Sequence, residues 1–212
     1  MKKTIVIFAN SVKHHQHCVA GKDILTKKWI RPVADENGTE LKDEQTKYKN
    51  PHGQFLAKPL QKMEIEFLKQ ASLAHQPDNY IITNKIWEQK YKIELDEIKN
   101  YIDNPDNLWL DGINSSDRVS YHLIQNESLK ILQSLYLIQV EKIHIYWKSR
   151  SQYNQNPQRR GMFSYKNIEY DLALTDPAFT NFREQDLINK YMCISLGEQL
   201  NGYCYKLIAS IF

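Results

Sequence analysis

The chain has three cysteines in 212 residues, Cys18, Cys193 and Cys204. An odd and small number excludes a disulfide framework and fits a reducing compartment. No apolar run approaches the ~20 residues of a membrane span, and the stretch from Met1 to Asn10 turns polar too quickly for a secretory leader. The expectation is a cytoplasmic protein with no membrane partner. A glycine-rich phosphate loop is missing, since Gly21-Lys22 lacks both the upstream glycine and the following Ser or Thr, which argues against ATP hydrolysis. There is no serine nucleophile elbow, no repeat at solenoid spacing and no low-complexity tract. Lysine, asparagine, isoleucine and tyrosine outweigh arginine, alanine and glycine, a composition that reflects an AT-rich genome rather than a function.

What the chain does have is polarised charge. Residues 1 to 34 hold seven bases against Asp23 alone, a local +6 that is twice the whole chain's +3. Residues 142 to 170 hold six bases against Glu169, a local +5, and residues 86 to 127 hold nine acids against four bases. A single basic run is ordinarily a solvated face. Here both basic zones also carry aromatics, Trp29 in the first and Tyr146, Trp147, Tyr153, Phe163 and Tyr165 in the second. Cations that pair with phosphate beside rings that stack on bases form the pattern of a nucleic-acid surface. Lys13, His15, Lys22, Lys28, Arg31, Arg159 and Arg160 are the candidate cationic contacts, with Trp29 and Tyr165 as stacking platforms.

Hydrophobic periodicity predicts a mostly β chain. Strands are expected near Thr4 to Ala9, Lys28 to Val33, Leu60 to Leu68 and Asn79 to Thr83, with Ala20-Gly21 as a turn and Asp35 to Gly53 as a long loop. Leu95, Ile98, Tyr101 and Ile102 recur at helical spacing and predict a helix ending at Asn104-Pro105. Further on, Leu135 to Trp147 reads as one long strand. Its apolar phase shifts between Val140 and Ile143, which predicts a bulge. Met162 to Lys166 and Ile168 to Leu174 predict a hairpin, Asp176-Pro177 a short helix, Met192, Ile194 and Leu196 a fourth strand, Gly197 to Gly202 a turn, and Tyr203 to Phe212 a fifth. Three strands, a helix and two strands is the order of an OB-fold, a five-stranded Greek-key barrel.

Short segments then line up along nearly the whole chain: Cys18 to Gly21 with Trp29 to Val33, Gln76 to Asn79, Leu108-Trp109, Asp117 to Val119, Ser128-Leu129, Leu174 to Pro177, Ser195 to Glu198 and Gly202 to Ala209. In this order and spacing the chain resembles the bacterial dual OB-domain family. The resemblance implies two tandem OB-like five-stranded barrels with short helices between strands. The division is expected near Ser128, with residues 1–128 an N-terminal barrel carrying a helical insertion and 129–212 a C-terminal barrel. The resemblance also implies nucleic-acid recognition in bacterial conflict or antiviral defence. The expected ligand is DNA or RNA, single-stranded rather than duplex, and the small size without a catalytic signature points to an effector protein beside it. The family carries over no catalytic residue and no cofactor; its motif positions that could touch a ligand are Lys22, Arg31, Arg118 and Lys206.

Three other chemistries compete. His14, His15, His17 and Cys18 invite a metal, but a structural zinc needs a second tight Cys/His pair; only Cys193 and Cys204, facing across a turn, could complete one. Those two are eleven residues apart rather than a tight pair, and the default for such cysteines is inert burial. Pro77-Asp78 with Glu88-Gln89-Lys90 loosely fits a metal-dependent nuclease, in which Asp78 and Glu88 would hold the ion and Lys90 would orient water. The third alternative is a protein-binding adaptor.

Overall fold

The computed structural model describes residues 1–13, 16–112, 116–149 and 157–212. Strands make up 56% of the described residues and helices 10%, so the protein is mostly β. It forms two compact units, Met1–Tyr101 and Ile102–Phe212. The division falls at Tyr101 rather than near Ser128, because Leu108, Trp109, Val119 and Ile124 are buried in the core of the second unit.

The first unit contains β1 (Lys2–Lys13), β2 (Gln16–Asp23), β3 (Trp29–Val33), β4 (Lys47–Asn50), β5 (Gly53–Leu56), β6 (Gln61–Gln70), β7 (Asn79–Ile82) and β8 (Trp87–Lys92). Five of these close a ring in the order β1, β2, β3, β7, β6 and back to β1. All neighbours are antiparallel except β3 and β7, which run parallel and bring Arg31 opposite Asn79. This is the OB arrangement. Strands β8, β4 and β5 extend it sideways from β6, in that order. Ile5, Ile7, Val19, Ile30, Met63, Ile65, Phe67 and Trp87 fill the barrel.

The second unit repeats the plan with β9 (Arg118–Ser120), the short helix α1 (Tyr121–Gln125), β10 (Leu135–Lys148), β11 (Gln158–Tyr165), β12 (Ile168–Leu174), β13 (Gln185–Leu200) and β14 (Tyr203–Ile211). Strands β10, β11, β12, β14 and β13 close the ring, again with one parallel seam, β12 beside β14. The ring encloses Val140, Ile143, Ile145, Phe163, Tyr170, Leu172, Met192, Ile194 and Ile208. One glycine in each barrel permits a close approach on its second strand. A Cβ on Gly21 would lie 2.3 Å from the Val6 carbonyl oxygen, and one on Gly161 would lie 2.6 Å from Ile208 Cδ1.

Several local expectations change. Ala20-Gly21 is not a turn but the middle of β2, paired with Ala9 and Ile7. The helix over Leu95 to Ile102 is a 3₁₀ turn, Leu95–Tyr101, and the loop from Asp35 holds a 3₁₀ turn, Asp43–Thr46, and β4. The phase of β10 does shift after Val140, yet its register with β13 does not: pairing runs to Val140 and Lys190 and resumes in step at Lys142 and Ile188. Asn189 adopts φ +52°, and the pairing keeps step across it with no extra residue on either strand. β13 continues through Gly197 to Leu200, leaving Asn201-Gly202 as the turn. Among the described residues no helix is long and apolar enough to cross a membrane.

Candidate nucleic-acid interface

An OB barrel takes its ligand on the outer face of its second and third strands. The two units treat that face in opposite ways.

In the first unit the face is filled by the chain itself. Lys22 and Trp29 alternate with the inward Gly21 and Ile30 and so project outward, where they pair across β2 and β3. Both are nevertheless buried, at 3% and 4% exposure. The Lys22 ammonium donates to the Tyr101 carbonyl at 2.7 Å and lies 5.1 Å from the Trp29 ring. Phe8 packs edge-on to Trp29 and 5.3 Å from the Tyr101 ring. The 3₁₀ turn Leu95–Tyr101 therefore occupies the place where a base would stack. Neither Lys22 nor Trp29 is available as a contact, which corrects the expectation for both.

Arg31 is also buried. Its backbone N–H donates to the Asp78 carbonyl at 2.8 Å, which draws the Trp29 to Val33 segment against Gln76 to Asn79. His75 lies buried beside it; burial first and the Arg31 charge second push the imidazole down to about 4. Lys28 is exposed. Lys13 closes β1, and His14 and His15 lie outside the described residues.

In the second unit the same face is open. The outward residues of β10, β11 and β12 form cross-strand rows, His144 opposite Met162 and Met162 opposite Asp171, with Ser164 opposite Glu169 in the next. A groove of about 790 Å³ runs over them, lined by Lys142, His144, Met162, Ser164, Lys166, Glu169 and Asp186. Met162 is 46% exposed on its floor. The His144 ring stacks on Tyr146 at 5.7 Å and 22°, and its Nδ1 and Nε2 face Asp186 at 2.9 Å and Glu184 at 3.2 Å. Lys142 pairs with the same Asp186 at 2.8 Å. Lys166 and Asn167, at φ +52° and +62°, form the two-residue hairpin turn that sets Lys166 on the rim.

The groove is bounded at one end by a charge knot. Asp171 accepts from Arg160 Nε at 2.8 Å, from Lys148 at 3.0 Å and from the Tyr146 hydroxyl at 3.0 Å, while Arg160 Nη2 donates to the Asp171 carbonyl. Burial alone would raise the Asp171 carboxyl; these donors outweigh it and hold it below the usual range. Arg160 is 8% exposed and wholly engaged, so it is a structural cation and not a phosphate contact. Arg159 donates to the Asp176 carbonyl at 2.9 Å and is partly buried.

The remaining expected contacts are placed as follows. Arg118 is held by Asp117 at 2.9 Å with its guanidinium 5.5 and 5.1 Å from the Tyr203 and Tyr205 rings. Tyr165 is buried and donates to the Pro105 carbonyl, so it offers no stacking face. Lys206 is 1% exposed, its ammonium 5.7 Å from the Tyr170 ring. Burial pulls its pKa down to about 8 against the opposing charges of Asp111 and Asp117.

Among the described residues the metal and nuclease candidates find no assembled site, and His14 and His15 lie outside those residues. His17 is held between Asn10 Oδ1 at 2.7 Å and Asp43 Oδ1 at 2.9 Å. Cys18 lies in the first unit, and Cys193 pairs with Ser210 instead of facing Cys204, whose thiol burial pushes up to about 12. No group of three or more His, Cys, Asp or Glu among the described residues could hold a metal ion. Asp78 is level with the far end of β6, beyond the Gln70–Tyr80 pair, whereas Glu88 is opposite Glu64. At 3.3 Å per residue the two carboxylates stand on the order of 25 Å apart along the strand, and Lys90 is engaged with Glu88 and Glu64.

Lys142 falls inside the second basic zone without being among the expected contacts, and His144, Met162 and Ser164 escape a search for cationic clusters because the groove is not a basic patch. The legible signal is Met162, an exposed large apolar residue at an outward position between inward Gly161 and Phe163.

A comparison with curated proteins finds no match. A family model described as the dual OB-containing domain matches residues 3–211, both barrels included, and the chain belongs to that family.

Proposed function

We propose that this protein binds single-stranded nucleic acid through the open face of its second barrel. The observation that carries the reading is the groove over β10, β11 and β12, on the face that OB barrels use for oligonucleotides. An extruded base fits against Met162 and the His144–Tyr146 stack, while Lys142 and Lys166 meet the backbone. Duplex bases are already stacked on one another and present no free ring to such a floor, which favours a single strand. Glu141, Glu169 and Asp186 in the same lining offer acceptors to base amino groups and repel phosphate from the floor.

This arrangement supports a weaker salt dependence than the two basic zones of the sequence suggest. With two lysines on phosphates, the logarithm of affinity should fall against the logarithm of salt with a slope of about −1.4. In the antiviral or conflict setting that the family resemblance implies, the module would recognise nucleic acid and an effector partner would act on it.

The test is fluorescence anisotropy with labelled single- and double-stranded DNA and RNA over a salt series, on the native chain and on Ser164→Trp, which fills the groove. Binding of single strands that Ser164→Trp weakens at least tenfold supports the reading. Binding indifferent to that substitution, or none at low salt, overturns it.

A further inference from the structure

Closing the first barrel takes five strands, yet this unit builds eight. β8 and β4 are accounted for by packing, since Trp87 and Tyr48 are buried in the barrel core. β5 is not: all four of its residues are exposed, Phe55 at 43% and Leu56 at 37%.

Among the described residues, nothing pairs with one side of its backbone. β5 pairs with β4 from Lys47 opposite Leu56 to Asn50 opposite Gly53, and ends the sheet order. The Ala57 N–H donates to the Thr46 carbonyl at 3.1 Å. Hydrogen-bonded and non-bonded pairs alternate along an antiparallel ladder, so Phe55 and Gly53 bond inward to β4 while the N–H and C=O groups of Gln54 and Leu56 point away from it. Such an edge is commonly defended by a charge, a proline or a bulge. β5 carries none of these.

We propose that this edge accepts an extended segment of a partner protein by strand addition, and that the segment alternates apolar and acidic residues. The alternation follows from the two faces of the ribbon. Phe55 lies on the same face as its partner Tyr48, with rings 5.9 Å apart, so it continues the barrel-side apolar surface outward. An incoming strand meets that face with apolar side chains. The other face carries Lys47 and Lys49, opposite Leu56 and Gln54, and exposed Lys42 and Lys58 flank the ribbon in sequence. Lys47 and Lys49 have only loose acidic partners, Glu44 at 3.5 Å and Glu88 at 4.0 Å. From Lys42 to Lys58 there are four lysines against two acids, a local +2 that attracts acids and repels a second copy of the same ribbon. Main-chain bonds would supply the affinity and the alternation the selectivity.

The probe is an acetylated and amidated hexapeptide of alternating valine and glutamate, titrated into ¹⁵N-labelled protein, with alternating valine and lysine as control. The expected result is saturable shifts of the Gln54 and Leu56 amides with the acidic peptide and at least fivefold weaker binding of the basic one. Lys49→Glu, an exposed change, should narrow or reverse that preference. Gln54→Pro, which removes an outward donor, should abolish the shifts while the resonances of the barrel core report an intact fold. Absence of any β5 shift with the acidic peptide overturns the proposal. Shifts at β5 that depend on protein concentration without peptide also overturn it and assign the edge to a second copy. Oligonucleotide binding at the second barrel should be unchanged by either variant, so failure here and failure of the nucleic-acid reading are separable.

Discussion

The ammonium of Lys22 donates to the carbonyl oxygen of Tyr101 at 2.7 Å, tying the second strand of the first barrel to the last residue of its unit. That bond holds the 3₁₀ turn over the face where an OB barrel would take a ligand. A charged hydrogen bond in a buried setting contributes about 1.5–3 kcal/mol. Lys22→Ala is therefore expected to lower stability by about 2 kcal/mol in urea unfolding, with oligonucleotide affinity of the folded protein unchanged. A loss of affinity at unchanged stability would restore Lys22 as a ligand contact.

Asp171 and Arg160 offer the complementary case at the rim of the open groove. Removing one member of a mostly buried, multiply bonded pair costs about 3 kcal/mol, so Asp171→Ala should be severely destabilising by thermal or urea unfolding. The Asp171 carboxyl is held below its unfolded value, so its contribution is present above the unfolded pKa and is lost as pH falls through the folded one. The native protein should lose stability at acid pH more steeply than Asp171→Asn does.

His75 predicts a second, separate acid dependence. The folded chain keeps it neutral down to about pH 4, while the unfolded chain takes up the proton near 6.5. Its contribution is complete above 6.5 and declines as pH drops through the window to 4, by up to about 3 kcal/mol. Replacing His75 by Gln should flatten the stability profile between those limits. A profile identical to the native one would show that His75 does not titrate in this way.

Lys206 works in the opposite region of the pH scale. Its ammonium is buried with a pKa near 8 against 10.5 in the unfolded chain, so the unfolded state holds more protons between those values. Stability from this group therefore rises as pH increases from 8 towards 10.5. Lys206→Met, which keeps the stem and deletes the charge, is expected to raise stability at pH 7 by about 2 kcal/mol, read as an increased Tm. A lowered Tm would mean that the Asp111 and Asp117 carboxylates need the cation more than the barrel interior rejects it.

The strands of the second barrel are legible in the sequence because one face of each is wet. Ile168, Tyr170, Leu172 and Leu174 alternate with Glu169, Asp171 and Ala173, and β12 follows that alternation. β2 is not legible in this way. Ala20, Lys22 and Gly21 are all buried, since the outer face of that strand is covered by a turn some eighty residues later, and so no polar alternation marks it. The same physics explains the site. Trp29 and Lys22 have the chemistry of a stacking and phosphate pair, but chemistry gives no warning that Tyr101 and Phe8 already occupy the place. Met162 and Ser164 carry no charge and become meaningful only when Gly161 and Phe163 are seen to turn inward.

Each barrel is sealed by a parallel seam between strands far apart in the chain, Arg31 beside Asn79 in one and Ala173 beside Leu207 in the other. Such non-local closure makes for slow folding, in the millisecond-to-second range of β barrels. All five strands of the first ring lie before Tyr101, so a ribosome that has released this stretch has released a complete ring. The first barrel can seal while the second is still being made, and the two rings then compete little for each other's strands.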